Sequence, residues 1–145
     1  MESLDIRWRQ RYSNFSRAYS LLRSALEEKD INGFDDLQRE GLVQRFEYTF
    51  ELMWKTVKDF LQNEKVDIEI VSPKNVIKAA ASCGMLEASG ADGEILLDML
   101  DTRNMLSHTY DEEQFRSALM KLKQTYLPQI DIVFDYLTGK VLIDG

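Results

Sequence analysis

Six large apolar side chains recur at spacings of four, three, four, three and four residues near the start of the chain: Trp8, Tyr12, Phe15, Tyr19, Leu22 and Leu26. On an α-helix this spacing places all of them on one face. The stripe predicts a helix over Leu4–Lys29 that must bury one side, and each buried side chain stabilises the fold by roughly 1.5–3 kcal/mol. We interpret it as a core stripe. The alternative, that its leading aromatic side chains line a ligand cleft, stays open.

A second helix is predicted to begin near Asp35, because Asp35 and Gln38 have the spacing of a capping box. This helix carries a core row of its own: Leu42, Phe46, Phe50, Met53, Val57, Phe60 and Leu61. Gly41 lies early in the same helix, where a glycine costs up to about 1 kcal/mol relative to alanine. Its presence indicates close packing or a kink at that point.

A polar row with a four-residue spacing lies on another face of the second helix: Glu47, Glu51, Lys55 and Asp59. Glu51 precedes Lys55 in the orientation that favours a helical ion pair. One interpretation of the row is a face in contact with solvent. The other is a pair of carboxylates that borders a concave site, with Tyr48 or Trp54 in its wall.

The middle of the chain is predicted to hold a connector, a short helix and a loop. Residues 63–71 alternate apolar and charged side chains but have no partner strand, so we expect a packed loop. The short helix runs over Pro73–Ser82, with Ser72 as its N-cap and a proline at its first position. Residues 85–93 are rich in turn formers and are predicted to form a mobile loop.

Two further helices flank the residues that carry the chemistry. The first, Asp92–Leu106, is apolar on more than one face, which indicates a central position or a subunit interface, and therefore a homodimer. The second opens at Asp111, and Pro128 predicts a kink or a break within it. Gly139 is predicted to end this helix and to leave residues 141–145 as a short tail.

These elements predict an all-α fold, an up-and-down four-helix bundle with one short extra helix, in a single domain over residues 1–145. The formal charge of -7 disfavours a broad nucleic-acid surface but allows a small basic pocket. Cys83 is the only cysteine, so no intrachain disulfide can form, and a cytoplasmic location is expected. The charged N-terminus is typical of neither a signal peptide nor a membrane span.

Arg103, His108 and Tyr110 are the residues best suited to chemistry. An imidazole can act as a general acid or base, and a guanidinium binds phosphate and stabilises negative charge on it. Within a continuous helix, a five-residue offset separates Arg103 and His108 by about 140°. The two side chains therefore converge only if His108 lies beyond the helix end. The structural alternative is that His108 caps the helix and Tyr110 packs on Phe115.

Neither a metal nor a cofactor is expected from the sequence. One cysteine and one histidine are too few ligands for a zinc site. Asp98, Asp101 and His108 are a weak candidate for another metal. The sequence contains no Walker loop, no dinucleotide-binding glycine pattern and no nucleophilic serine elbow.

The pattern Arg103-x4-His108-x-Tyr110 resembles the motif of the higher-eukaryote-and-prokaryote nucleotide-binding (HEPN) superfamily, which includes the HepT-like proteins. Residues 44–55, Gln-Arg-Phe-Glu-Tyr-Thr-Phe-Glu-Leu-Met-Trp-Lys, resemble the second-helix signature of the nucleotidyltransferase substrate-binding protein family. The resemblance implies a dimeric bundle related to the C-terminal domain of kanamycin nucleotidyltransferase. It also implies a partner, a separate small nucleotidyltransferase that carries the nucleotide and metal, while this chain binds an unknown small-molecule substrate.

Three functions compete on this basis. The first is a non-catalytic substrate-binding subunit of a nucleotidyltransferase. The second is a metal-independent ribonuclease toxin of a toxin–antitoxin pair, with Arg103 and His108 as catalytic residues acting on RNA; here the resemblance implies that the nucleotidyltransferase adenylylates Tyr110. The third is a plain interaction dimer. The expected substrate- or partner-binding residues are Arg103, His108, Tyr110, Glu47, Glu51, Lys55, Trp54 and Tyr48.

Overall fold

The computed structural model of the chain describes residues 2–108 and 111–144. These residues form seven α-helices: α1 (Glu2–Glu28), α2 (Asp36–Asn63), α3 (Pro73–Ser82), α4 (Met85–Ser89), α5 (Gly93–His108), α6 (Glu112–Lys121) and α7 (Leu127–Asp144). A 3₁₀ turn, Ile31–Gly33, joins α1 to α2, and a π-helical turn, Leu122–Tyr126, joins α6 to α7. No strand occurs among the described residues, so the predicted all-α helical bundle is confirmed.

Helices α1 and α2 pack against each other along most of their length and form one half of the core. Trp8 and Phe15 are fully buried on α1, and Phe50 is fully buried on α2. The Trp8 ring meets the Phe60 ring edge to face, with 5.1 Å between centroids. The stripe on α1 is therefore a core stripe, and the alternative of a ligand cleft at its aromatic end is wrong.

The predicted capping signals hold at two helix starts. At α2, the Asp35 side chain accepts from the backbone N–H of Gln38 at 2.8 Å, and the Gln38 side chain accepts from the Asp35 N–H at 2.9 Å. At α3, the Ser72 hydroxyl accepts from the backbone N–H of Asn75 at 3.1 Å. These contacts satisfy N–H groups that a helix start leaves without partners.

Gly41 does not mark a close approach, so the prediction of close packing there is wrong. A Cβ atom placed on Gly41 would meet no heavy atom within 4 Å outside its own helix. Gly84 has equally open surroundings, but its φ of +90° is one that residues with a side chain rarely adopt. The two glycines therefore differ in backbone conformation and not in available space.

We expect Gly41→Ala to raise the free energy of unfolding by about 0.5–1 kcal/mol, because alanine restricts the unfolded chain and favours helix. Gly84→Ala is the matched control, and it should destabilise by about 1–2 kcal/mol because its left-handed backbone is strained with a Cβ. Urea unfolding followed by circular dichroism measures both. A neutral or destabilising Gly41→Ala would show that the helix start is held in a geometry that alanine cannot take.

Residues 85–93, predicted as a mobile loop, contain the short helix α4 instead. Gly84 and Gly90, both with left-handed backbone, bracket this helix. Met85 and Leu86 are buried within it and belong to the core. The prediction failed because two apolar residues between glycines are too few to show a helical period, whereas burial of both side chains stabilises the turn.

The apolar faces of α5 are largely covered within one chain. Leu96, Met99 and Leu106 are buried against neighbours that include α2, α3 and α6. Intrachain packing thus accounts for much of the apolar surface from which a homodimer was predicted. The helix also continues to His108, two residues beyond the predicted end at Leu106.

Pro128 stands where the winding of the last helical segment changes. The π-helical turn Leu122–Tyr126 precedes it, so the predicted interruption is present, in the form of a wider turn. The predicted end at Gly139 is wrong, since α7 continues to Asp144. One reason is a long-range contact: an Arg9 guanidinium N–H donates to the Val141 carbonyl at 3.3 Å.

None of the helices described is both long enough and apolar enough to cross a membrane.

Candidate functional site

Helices α2 and α5 bring two separate sequence motifs together on one side of the bundle. The polar row of α2 faces the last two turns of α5, which carry the arginine of the motif. We call the resulting group the polar cluster: Glu47, Glu51, Lys55, Arg103 and Ser107. The site therefore consists of one face from a long core helix and one from a helix end.

Glu51 lies at the centre of the polar cluster. Its Oε2 accepts from the Trp54 indole N–H at 3.0 Å and from an Arg103 Nη2 at 3.0 Å. Its Oε1 lies 3.3 Å from Lys55 Nζ, which confirms the predicted helical ion pair. Partial burial favours the neutral acid, but the Trp54 and Lys55 hydrogen bonds and the nearby Arg103 charge outweigh it. Together they hold the pKa of Glu51 below its ordinary value.

Arg103 reaches across from α5 and uses only part of its donor set. One terminal nitrogen binds Glu51, and the other donates to the side-chain oxygen of Asn104 at 3.3 Å. Its buried Nε atom has no hydrogen-bond partner among the described residues. The side chain is 30% exposed, so the guanidinium can still be approached from solvent.

Glu47 and Ser107 form a second bridge between the same helices. The Ser107 hydroxyl is 3.0 Å from a Glu47 carboxylate oxygen and 3.2 Å from the Arg103 carbonyl. Tyr48 is 41% exposed, whereas Trp54 is 9% exposed and lies beneath the cluster. Trp54 thus supports the cluster from the core side, and Tyr48 lies on the accessible surface.

The polar row of α2 is not uniformly in contact with solvent. Glu47, Glu51 and Lys55 are partly buried. Asp59, at the end of the row, is 1% exposed. An Arg11 Nε from α1 lies 3.1 Å from one Asp59 oxygen, and Lys58 Nζ lies 3.1 Å from the other. Asp59 is therefore a buried charge that ties α1 to α2 and is no part of the candidate site.

His108 occupies a different position from Arg103. It is exposed and is the last residue of α5. Because the helix includes His108, regular winding separates the two side chains by about 140°. The condition under which they were expected to converge, a helix end before His108, is not met. Tyr110, the third member of the motif, lies outside the described residues.

Asp98 of α5 takes part in a contact unrelated to metal binding. The buried Tyr126 hydroxyl lies 2.6 Å from an Asp98 oxygen and 2.7 Å from the Thr102 hydroxyl. Lys121 Nζ lies 3.5 Å from the same carboxylate. Over residues 2–108 and 111–144, no group of three His, Cys, Asp or Glu side chains is placed to hold a metal ion.

Comparison with known proteins shows which family the chain belongs to. The family model described as "nucleotidyltransferase substrate binding protein like" matches residues 10–138, which include both halves of the polar cluster. The chain belongs to this family. Within the matched region, Ser107 contributes contacts to the site that sequence reasoning did not single out. Ser107 follows Arg103 at the helical spacing of four, a signal that could have indicated it.

The chain is also similar to one curated protein and to one solved structure. A "probable ribonuclease HepT" of Haemophilus influenzae is 31% identical over 106 residues, which cover 66% of this chain and 70% of that protein. A solved crystal structure from Thermus thermophilus superposes with a TM-score of 0.66 at 29% sequence identity. That alignment covers 87% of this chain and 97% of the other.

Proposed function

We propose that this chain is the substrate-binding subunit of a two-protein nucleotidyltransferase. The observation that carries the proposal is the family match over residues 10–138. The polar cluster supports it, because a half-buried group of two acids and two bases above a buried indole is suited to hold a polar ligand. The nucleotide and the metal would then belong to the partner protein.

The charged residues of the site would bind different parts of the substrate. Arg103 is the group for an anionic part of the substrate, because a guanidinium can hold such a group with two parallel hydrogen bonds. Lys55 stays paired with Glu51. Glu47 and Glu51 accept hydrogen bonds from donors on the ligand. His108, exposed at the end of α5, faces the partner or a second subunit, and Tyr110 is a proposed adenylylation acceptor. The chain acts as a homodimer in the cytoplasm.

A ribonuclease is the second candidate, favoured by the name of the Haemophilus influenzae relative. In that function His108 is the acid or base, and Arg103 stabilises the charge that develops on the scissile phosphate. One chain places Arg103 against α2 and leaves His108 exposed at the helix end. The RNA phosphate would therefore have to span the end of α5, or the two residues would come from different subunits.

The partner test is co-expression with a small nucleotidyltransferase, ideally one encoded beside this chain. We expect the two proteins to purify together and Arg103→Ala to weaken ligand binding at least tenfold, a loss of about 1.4 kcal/mol. Arg17→Ala is the matched control, because Arg17 is an exposed arginine on α1 whose side chain donates to its neighbour Asn14, away from the polar cluster. Mass spectrometry of the complex identifies bound small molecules and any group added to Tyr110.

The two candidate functions separate in an assay with RNA in EDTA. The substrate-binding function predicts that the purified chain leaves RNA intact, whereas the ribonuclease function predicts cleavage that His108→Ala abolishes. Failure of every small nucleotidyltransferase tried to bind, together with intact RNA, would favour a plain interaction dimer. Light scattering in the same preparations measures assembly, and a stable monomer at micromolar concentration would contradict the homodimer.

A further inference from the structure

The pairing of Arg103 with Glu51 leaves the proposed anion-binding group already occupied. Arg103 Nη2 is 3.0 Å from Glu51 Oε2, a contact between residues 52 positions apart. Both side chains of this ion pair are 30% exposed. The polar cluster contains two acids and two bases, so its formal charge is zero. An incoming anion therefore meets a neutral site and must compete with Glu51.

Glu51 can release Arg103 without being left unpaired. The Trp54 indole N–H remains 3.0 Å from Oε2, and Lys55 Nζ remains 3.3 Å from Oε1. Since Trp54 is almost fully buried and belongs to the same helix, it fixes the Glu51 carboxylate in place. The exchange therefore breaks one partly exposed ion pair, which is a weak interaction, and leaves no charge without a partner.

Arg103 also has donor capacity that the free chain does not use. Its buried Nε has no partner among the described residues, and Nη1 reaches only the adjacent Asn104 side chain, at 3.3 Å. A phosphate oxygen pair could take both terminal nitrogens together once Glu51 has released Nη2, in the fork geometry that guanidinium groups favour. Arg103 would then hold the phosphate with two hydrogen bonds, in place of the single hydrogen bond to Glu51.

We propose that Glu51 is an internal competitor for Arg103, so that the site binds a phosphate-bearing ligand by exchanging the Glu51 carboxylate for the ligand's phosphate group. This inference rests on the proposed role of Arg103 as the anion-binding residue. Glu51 then lowers the affinity of the site for every anion. Anions that bind Arg103 weakly do not displace Glu51, whereas a ligand with a well-placed phosphate does. Lys55 assists by neutralising Glu51 once Arg103 has left.

The experiment is a titration with inorganic phosphate at constant ionic strength, followed through the indole N–H signal of Trp54 in NMR spectra. Glu51→Gln should bind phosphate about three- to fivefold more tightly than the original chain, because the competing charge is gone. Glu27→Gln is the matched control: it removes an equal charge from another helical ion pair, with Arg23 on α1, and should leave the affinity unchanged. Arg103→Ala should abolish binding in either background.

Lys55→Met provides an independent arm, which also serves if Glu51→Gln fails to fold. Without Lys55, Glu51 should hold Arg103 more firmly, and phosphate binding should weaken by a similar factor. Equal or weaker binding by Glu51→Gln, with Arg103→Ala still abolishing it, would overturn the competition and leave the anion-binding role of Arg103 intact. Phosphate binding that is absent from both Glu51→Gln and the original chain, or that persists in Arg103→Ala, would overturn both.

Discussion

Tyr126→Ala is expected to lower the free energy of unfolding by about 3–5 kcal/mol, the usual cost of deleting a buried aromatic side chain. The Tyr126 ring is fully buried and stacks on Phe46, with 5.9 Å between centroids. Tyr126→Phe separates the hydroxyl from the ring and should cost about 1–3 kcal/mol, since the buried Thr102 hydroxyl loses its partner. Chemical denaturation of the three proteins gives both values.

The Tyr126 hydroxyl also gives this effect a pH dependence. Burial, and the hydrogen bond to Asp98, raise the pKa of Tyr126 to about 12, above its ordinary value near 10. A raised pKa means that the folded state favours the neutral hydroxyl. Its contribution is therefore complete below pH 10 and is lost as the pH rises towards 12. The stability difference between Tyr126→Phe and the original chain should shrink over that interval, and a constant difference would show that the hydroxyl is not held in a buried hydrogen bond.

Arg11→Met is expected to lower the free energy of unfolding by about 2–3 kcal/mol. Removing one partner of a buried ion pair typically costs about 3–5 kcal/mol, and here Lys58 still neutralises part of the Asp59 charge. The Arg11 side chain is 29% exposed, whereas that of Asp59 is fully buried, so the cost comes from the charge left inside. Thermal unfolding of Arg11→Met, with the exposed Arg17→Met as control, measures it.

A double variant tests whether charge is the cause. Adding Asp59→Leu to Arg11→Met should recover part of the lost stability, since a buried ion pair can often be replaced by apolar side chains at little cost. The control Arg17→Met should stay within about 0.5 kcal/mol of the original chain. If the double variant is less stable than Arg11→Met alone, then packing of the Asp59 side chain matters more than its charge.

The sequence predicted best those features that depend on neighbours along the helix. Six aromatic and aliphatic side chains at helical spacing define α1, and short-range capping groups define the starts of α2 and α3. The same local logic predicted the ion pair of Glu51 with Lys55. These features are local because each depends on residues no more than four positions apart.

Features that depend on tertiary contacts could not be predicted in this way. The residues of the polar row of α2 share one four-residue spacing, but they have different roles. Glu51 faces α5 and belongs to the site, whereas Asp59 faces α1 and is structural. The contact between Glu51 and Arg103 joins residues 52 positions apart, so neither motif alone indicates the other. Beyond Gly139, α7 likewise makes a contact with Arg9, at the far end of the chain, that the local pattern does not indicate.

The π-helical turn Leu122–Tyr126 acts as a phase correction between α6 and α7. A π turn takes up one more residue than an α-helical turn. If the same residues adopted ordinary α-helical winding instead, α7 would rotate by about 100° relative to α6. Ile130 and Leu137, both fully buried, would then leave the core. The wider winding of this turn therefore decides which face of α7 enters the bundle, and deleting one residue here would restore ordinary winding with that face unchanged.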